Sequence, residues 1–181
     1  MKKILFKVGL PILICLEVLC TSLPVSATLN DFDSGNIMDD TVATNYGSMN
    51  IQQIQAFLNS KVPQCDTNGS QPAREFGRPD ITRAQYASLR GWHGPPYTCL
   101  RDYRSGDGRS AAQLIFDAAQ KYHINPQLLI VLLQKEQALV TDVWPTRGQF
   151  KSATGYGCPD TTACDSKYFG LENQLEWAAK H

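Results

Sequence analysis

The sequence predicts a mainly α domain with long, disulfide-stapled loops and little or no sheet. Apolar residues recur at helical spacing in several separate stretches, no segment sustains period-two alternation, and the four cysteines after residue 60 fall in stretches rich in Gly, Pro and polar residues. Lys plus Arg and Asp plus Glu number 17 each, so the 181-residue chain has a formal net charge of zero. No internal repeat is visible. No basic block follows the first residues, which argues against nucleic acid as a partner, because affinity for phosphates rests on clustered Lys and Arg.

The chain opens with Lys2, Lys3 and Lys7, then an apolar stretch from Val8 to Cys20 broken only by Glu17. Val25-Ser26-Ala27 follows as a small-residue site, so residues 1–27 read as a secretory signal cleaved after Ala27. An uncleaved membrane anchor is the competing reading, opposed by Glu17 and by the cleavage site. Large Leu19 before Cys20 and large Ile14 before Cys15 disfavour a lipoprotein signal. The expected protein is secreted or held in the cell envelope, with no stable membrane insertion after cleavage. Its mature part starts near Thr28 and holds roughly 150 residues, enough for one domain with its own core.

Residues 28–46, rich in Asp, Asn, Ser and Gly, are expected to be irregular, and residues 47–181 to form the domain. Asn50 and Gln53 make a capping box for a helix from Ile51 to Ser60, with Ile54, Phe57 and Leu58 on its apolar stripe. A short helix from Thr82 to Leu89 stands alone between Cys65 and Cys99. Trp92 and Tyr97 in the loop after it can stack on a sugar ring or pack a small core beneath the loop. Ser110 and Gln113 introduce a helix from Ala111 to Tyr122. Asn125 caps the next, with Pro126 at its first position, where a missing N–H costs nothing. A loop then runs through Cys164 to a last helix from Leu171 to Lys180. The chain stops at His181 inside an amphipathic run, as a piece of a longer protein would.

Four cysteines remain after signal removal: Cys65, Cys99, Cys158 and Cys164. An even count in an exported chain points to two disulfides, with three possible connectivities. Cys65–Cys99 with Cys158–Cys164 is the simplest. Zinc is the alternative, but the spacings are not those of a zinc finger and no His lies near either pair. Neither a metal nor a cofactor is expected: three scattered His residues include no HExxH, and fragments such as Asp107-Gly108 lack the spacing of a calcium loop.

The stretch from Leu128 to Val140 places one carboxylate in an apolar run. At 3.6 residues per turn Glu136 shares a face with Leu129, Leu132, Leu133, Leu139 and Val140. Burial there would raise its pKa toward neutrality, as a general acid requires. A solvated position at the rim of the polar face is the other reading. Glycoside cleavage by a hydrolase also needs a second carboxylate, for which Asp142, Asp160, Asp165 and Glu172 are candidates.

Tyr122-His123-Ile124-Asn125-Pro126-Gln127-Leu128-Leu129, running on to Glu136, resembles the helix that introduces the catalytic glutamate of soluble lytic transglycosylases and goose-type lysozymes. Ser152-Ala153-Thr154-Gly155-Tyr156-Gly157 falls where those enzymes carry a groove-lining loop. The block from Asn125 to Gln174, with Trp144-Pro145 and Cys164-Asp165-Ser166, is similar to secreted bacterial proteins with a lysozyme-like domain that are labelled haemagglutinin-like. The resemblance implies a lysozyme-like fold, Glu136 as catalytic acid/base, and Thr154, Gly155, Tyr156, Tyr168 and Trp144 at the substrate. Its implied partner is the peptidoglycan glycan strand, with the oligomeric state open. Gln137 and Gly157-Cys158-Pro159 depart from the transglycosylase pattern, and Tyr168-Phe169-Gly170-Leu171 resembles a motif of bacterial glucosaminidases. The reading is a secreted muramidase or lytic transglycosylase; its alternative is an inactive cell-surface glycan-binding or adhesive module.

Overall fold

A computed structural model describes residues 35 and 37–181. The expected signal peptide, with Cys15 and Cys20, lies outside the described residues. Seven α-helices, three single-turn 3-10 helices and a two-stranded sheet make up the regular structure among the described residues, so the domain is mainly α. Its elements are α1 (Asp40–Ala43), α2 (Ile51–Lys61), β1 (Pro72–Ala73), β2 (Arg78–Thr82), α3 (Arg83–Leu89), α4 (Ala111–Tyr122), α5 (Pro126–Gln137), α6 (Arg147–Lys151) and α7 (Leu171–Lys180).

Helix α4 is the hub. Ser110 starts it by accepting a hydrogen bond from the Gln113 amide, and His123, at φ 53°, ends it. It packs against α2, α5 and α7. Ala111, Ala112, Ala118 and Ala119 are buried, and small side chains let neighbouring helices approach closely. Leu58, Ile115, Leu129, Leu133 and Leu175, at most 1% exposed, fill the space between. Burying each contributes about 1.5–3 kcal/mol. Capping boxes at Asn50–Gln53 and Thr82–Gln85 start α2 and α3 where the sequence predicts them.

Three expectations need correction. Residues 28–46 are not irregular throughout: Asp39 caps the one-turn helix α1. The stretch between Cys65 and Cys99 holds an antiparallel pair, Pro72 opposite Thr82 and Ala73 opposite Arg78, besides α3. The loop before Cys164 contains α6, whose capping box joins Thr146 and Gln149. Each of these elements is too short to show a period.

Both disulfides are Cys65–Cys99 and Cys158–Cys164. Around the first, a separate small core gathers Ala87, Tyr97 and Trp144 with Tyr86 and Val143 against it. Tyr97 is 2% exposed, so it packs beneath the loop and has no face to offer a ligand. Among the described residues no helix is long and apolar enough to cross a membrane.

Candidate functional site

The site grows from the C-terminal end of α5. Asn125 caps the helix by accepting from the Gln127 amide, and Pro126 occupies its first turn. Ala138, at φ 55°, ends it, donating its N–H toward Gln134 and Leu133, while the Leu139 amide donates to the Leu133 carbonyl at 3.2 Å. This left-handed stop turns Leu139 and Val140 into the core from beyond the helix.

The burial expected of Glu136 is corrected at this point. The buried face of α5 is Pro126, Leu129, Ile130 and Leu133. Glu136 stands at the rim of that face with its side chain 31% exposed, and its Oε1 accepts from Lys135 Nζ at 3.0 Å. Extending the helical period past Gln137 had grouped Leu139 and Val140 with Glu136. The turn at Ala138 separates them.

The loop from Ser152 to Gly157 closes on the same carboxylate. Gly155 has φ 71°, and a methyl group placed on it would come within 3.0 Å of Glu136 Oε2. The carboxylate therefore rests on the loop backbone, an approach that favours glycine on both conformational and steric grounds. Gln137 Nε2 reaches Ser152 Oγ at 3.3 Å beside this contact.

Gln174 of α7, fully buried, holds the loop in place. Its Oε1 accepts from the Thr154 and Tyr156 amides at 3.0 and 3.2 Å. Its Nε2 donates to the Tyr156 and Tyr168 carbonyls at 2.9 and 2.7 Å. Thr154 is 5% exposed, with its hydroxyl against Gln174, so its polar atoms serve the loop and do not face a ligand. Tyr156 and Tyr168 are half-buried and meet edge to face at 4.9 Å. Both contact Trp177 of α7. Trp144 is 5% exposed and lies apart from this group, in the small core beside Tyr97.

A cavity of about 620 Å³ opens beside Gln137 and Ser152, with Phe76, Trp92 and Trp144 on its wall. Of the four candidate second carboxylates, only Asp142 lines it. Asp142 is spent as a brace, accepting from the Trp144 amide at 2.9 Å and Gln149 Nε2 at 2.7 Å. Asp165 caps the turn at Lys167, Glu172 is ion-paired with Arg109, and Asp160 is exposed in the Cys158–Cys164 loop. Among the described residues no group of three His, Cys, Asp or Glu side chains is arranged to hold a metal ion.

Sequence reasoning missed Gln174. The signal was present: a glutamine between Leu171 and Leu175 on the apolar stripe of α7 has the same standing as a buried carboxylate, and a buried amide must find partners.

A family model described as "LasA, N-terminal domain" matches residues 36–181. No curated protein matches the chain, and neither does any solved structure.

Proposed function

We propose that this chain, which belongs to the LasA N-terminal domain family, is an exported cell-wall domain that cleaves the peptidoglycan glycan strand with Glu136 as its single acid/base. The family takes its name from LasA, a secreted staphylolytic peptidase, which points toward the bacterial wall as the setting. The glycan-directed reading rests on the site itself. The observation that carries it is the Glu136 carboxylate lying on the Gly155 backbone, one residue before Gln137 on the cavity wall, while Asp142, Asp165 and Glu172 are engaged elsewhere.

One carboxyl group suffices for a lytic transglycosylase. Protonated Glu136 donates its proton to the oxygen of the β-1,4 bond between N-acetylmuramic acid and N-acetylglucosamine, and the bond from that oxygen to the anomeric carbon breaks. The carboxylate then takes the proton of the muramic acid 6-hydroxyl as its oxygen closes onto the same carbon. The products are a 1,6-anhydromuramoyl end and a free 4-hydroxyl on N-acetylglucosamine, with no water consumed. A bound strand would cover the exposed rim and supply the desolvation that the free site lacks.

Exposure of Glu136 and its pairing with Lys135 favour the second reading, a glycan-binding module without catalysis. Mass analysis after incubation with purified peptidoglycan separates the readings. Anhydromuramoyl ends are expected; reducing ends indicate a hydrolase, and intact strands the binding module. Glu136→Gln keeps the shape and removes the transferable proton, so cleavage should fall at least ~10²-fold. A variant that cleaves as fast as the parent sinks the mechanism.

A further inference from the structure

The 620 Å³ cavity beside Gln137 has a wall that the chemistry at Glu136 does not use. Phe76 is 43% exposed and Trp92 37% exposed, although both line a concavity. One face of Phe76 lies on Tyr86, with ring centroids 4.5 Å apart and planes 15° from parallel, and Trp144 meets it edge to face at 6.0 Å, so its exposed surface lies away from both. Trp92 stands edge-on to Phe76 at 5.8 Å, and its amide donates to the Ala87 carbonyl at 2.8 Å. Two large rings are thus fixed and left partly bare inside a pocket. In the small core next to them, Tyr97 and Trp144 are covered.

We propose that Phe76 and Trp92 form a subsite for a neutral N-acetylhexosamine ring of a β-1,4-linked glycan. A pyranose presents a face of C–H bonds, which carry the slight positive charge that the electron-rich face of an aromatic ring attracts. The hydroxyls and the acetamido group then meet polar side chains around the platform, among them Glu75 and Gln137.

Charge selects the neutral sugar over an acidic stem peptide. Arg83 is the cation among the residues lining the cavity, and it is compensated: Nε pairs with Glu75 at 2.8 Å and Nη1 with Asp66 at 3.2 Å, while Arg90, outside that lining, stands over the Trp92 ring at 5.8 Å. Asp142 adds a further negative charge to the wall. A muramyl lactate or peptide carboxylate would therefore meet an acidic pocket.

Continuity gives the subsite its place. Gln137 and Ser152 line the cavity and touch each other, Gln137 follows Glu136 in the chain, and the Gly155 amide donates to the Ser152 carbonyl at 2.9 Å. A strand lying across Glu136 and Gly155 would continue over the Gln137–Ser152 contact onto Trp92. This subsite rests on the glycan-directed reading of the same groove, but it does not require that Glu136 be catalytic.

The chain has three tryptophans, Trp92, Trp144 and Trp177, and only the first two line the cavity. Fluorine NMR of the 5-fluorotryptophan-labelled protein therefore resolves where a glycan sits. With the β-1,4-linked tetramer of N-acetylglucosamine as probe, the Trp92 resonance should shift saturably. Trp92→Ala should weaken the tetramer at least ~10-fold, and Trp92→Phe should restore most of the loss. An unmoved Trp92 resonance overturns the subsite, whether the Trp177 resonance shifts or no binding is detected. A muramyl dipeptide that shifts Trp92 where the tetramer does not also overturns it. Tetramer binding at Trp92 in a protein that releases no product from peptidoglycan sinks only the enzyme reading. Cleavage with unchanged KM in a Trp92→Ala protein that melts like the parent sinks only the subsite.

Discussion

The cavity wall built from residues 63–100 and the loop wall of residues 152–170, which reaches the cavity at Ser152, are held by different means. Residues 63–100 share a small core with Val143 and Trp144, and carry a disulfide between Cys65 and Cys99 and a charged clasp from Arg83 to Asp66 and Glu75. Residues 152–170 close a short disulfide loop, Cys158–Cys164, have little core of their own, and are fastened to α7 by the amide of Gln174. One wall is a cap closed on itself and on Trp144. The other is an extension of the main core, so its loss and the loss of α7 packing should come together.

The sharpest way to break this contrast is Gln174→Leu. It leaves the Thr154 and Tyr156 amides and the Tyr156 and Tyr168 carbonyls without their partner. At roughly 1 kcal/mol or more for each stranded group, the loss should reach about 4 kcal/mol in a denaturant titration. Hydrogen exchange should rise in residues 152–170 and in α7, with residues 63–100 unaffected. Protection of α7 equal to that of the parent would show that the second wall does not depend on the core.

Replacing both Cys65 and Cys99 by Ala should cost about 3–4 kcal/mol on the loop-entropy account. Here exchange should rise between residues 63 and 100 while α4, α5 and α7 keep their protection. Simultaneous loss of protection everywhere would deny the cap its independence.

Asp66→Asn should have the smallest effect, about 2 kcal/mol near neutral pH, and a distinctive pH signature. Burial opposes ionisation of Asp66, but the Gln71 and Ser70 amides and the Arg83 guanidinium outweigh it and hold its pKa below the usual carboxylate value. A carboxylate with a lowered folded-state pKa stabilises fully above its unfolded value and loses that contribution as pH falls through the folded one. The stability gap between parent and variant should therefore narrow below about pH 4. A gap constant down to pH 2 would mean that the clasp does not act through charge.

The two walls also differ in how far they can be read from the amino-acid sequence. α4, α5 and α7 are long enough to show their period, and Ser110, Asn125 and Pro126 mark where α4 and α5 begin. Glu136 is visible as a carboxylate near an apolar stripe, but its depth depends on where the helix stops. Ala138 in a left-handed conformation is not a stop that residue type announces, since Gly or Asn is the usual choice. The β1–β2 pair joins strands of two and five residues with a register shift between Pro72 and Ala73, too short and irregular to show alternation. Gln174 and Gly155 draw their meaning from partners up to 20 residues away, across a loop whose path no local rule determines.

Asn125 does more than begin a helix. Its amide N–H donates to the Ala43 carbonyl at 2.7 Å, its Nδ2 donates to Val42 at 3.0 Å, and its Oδ1 accepts from Ser48 and Gln127. In mechanical terms it is a rivet. Tension on the chain leading into Met38 arrives first at α1 and Asn125, and so at the opposite end of the helix that carries Glu136. Twelve residues of continuous α-helix, roughly 18 Å, transmit that load along their axis without stretching. A load applied at the leading segment would thus be delivered along α5 to Gln137, at the margin of the cavity.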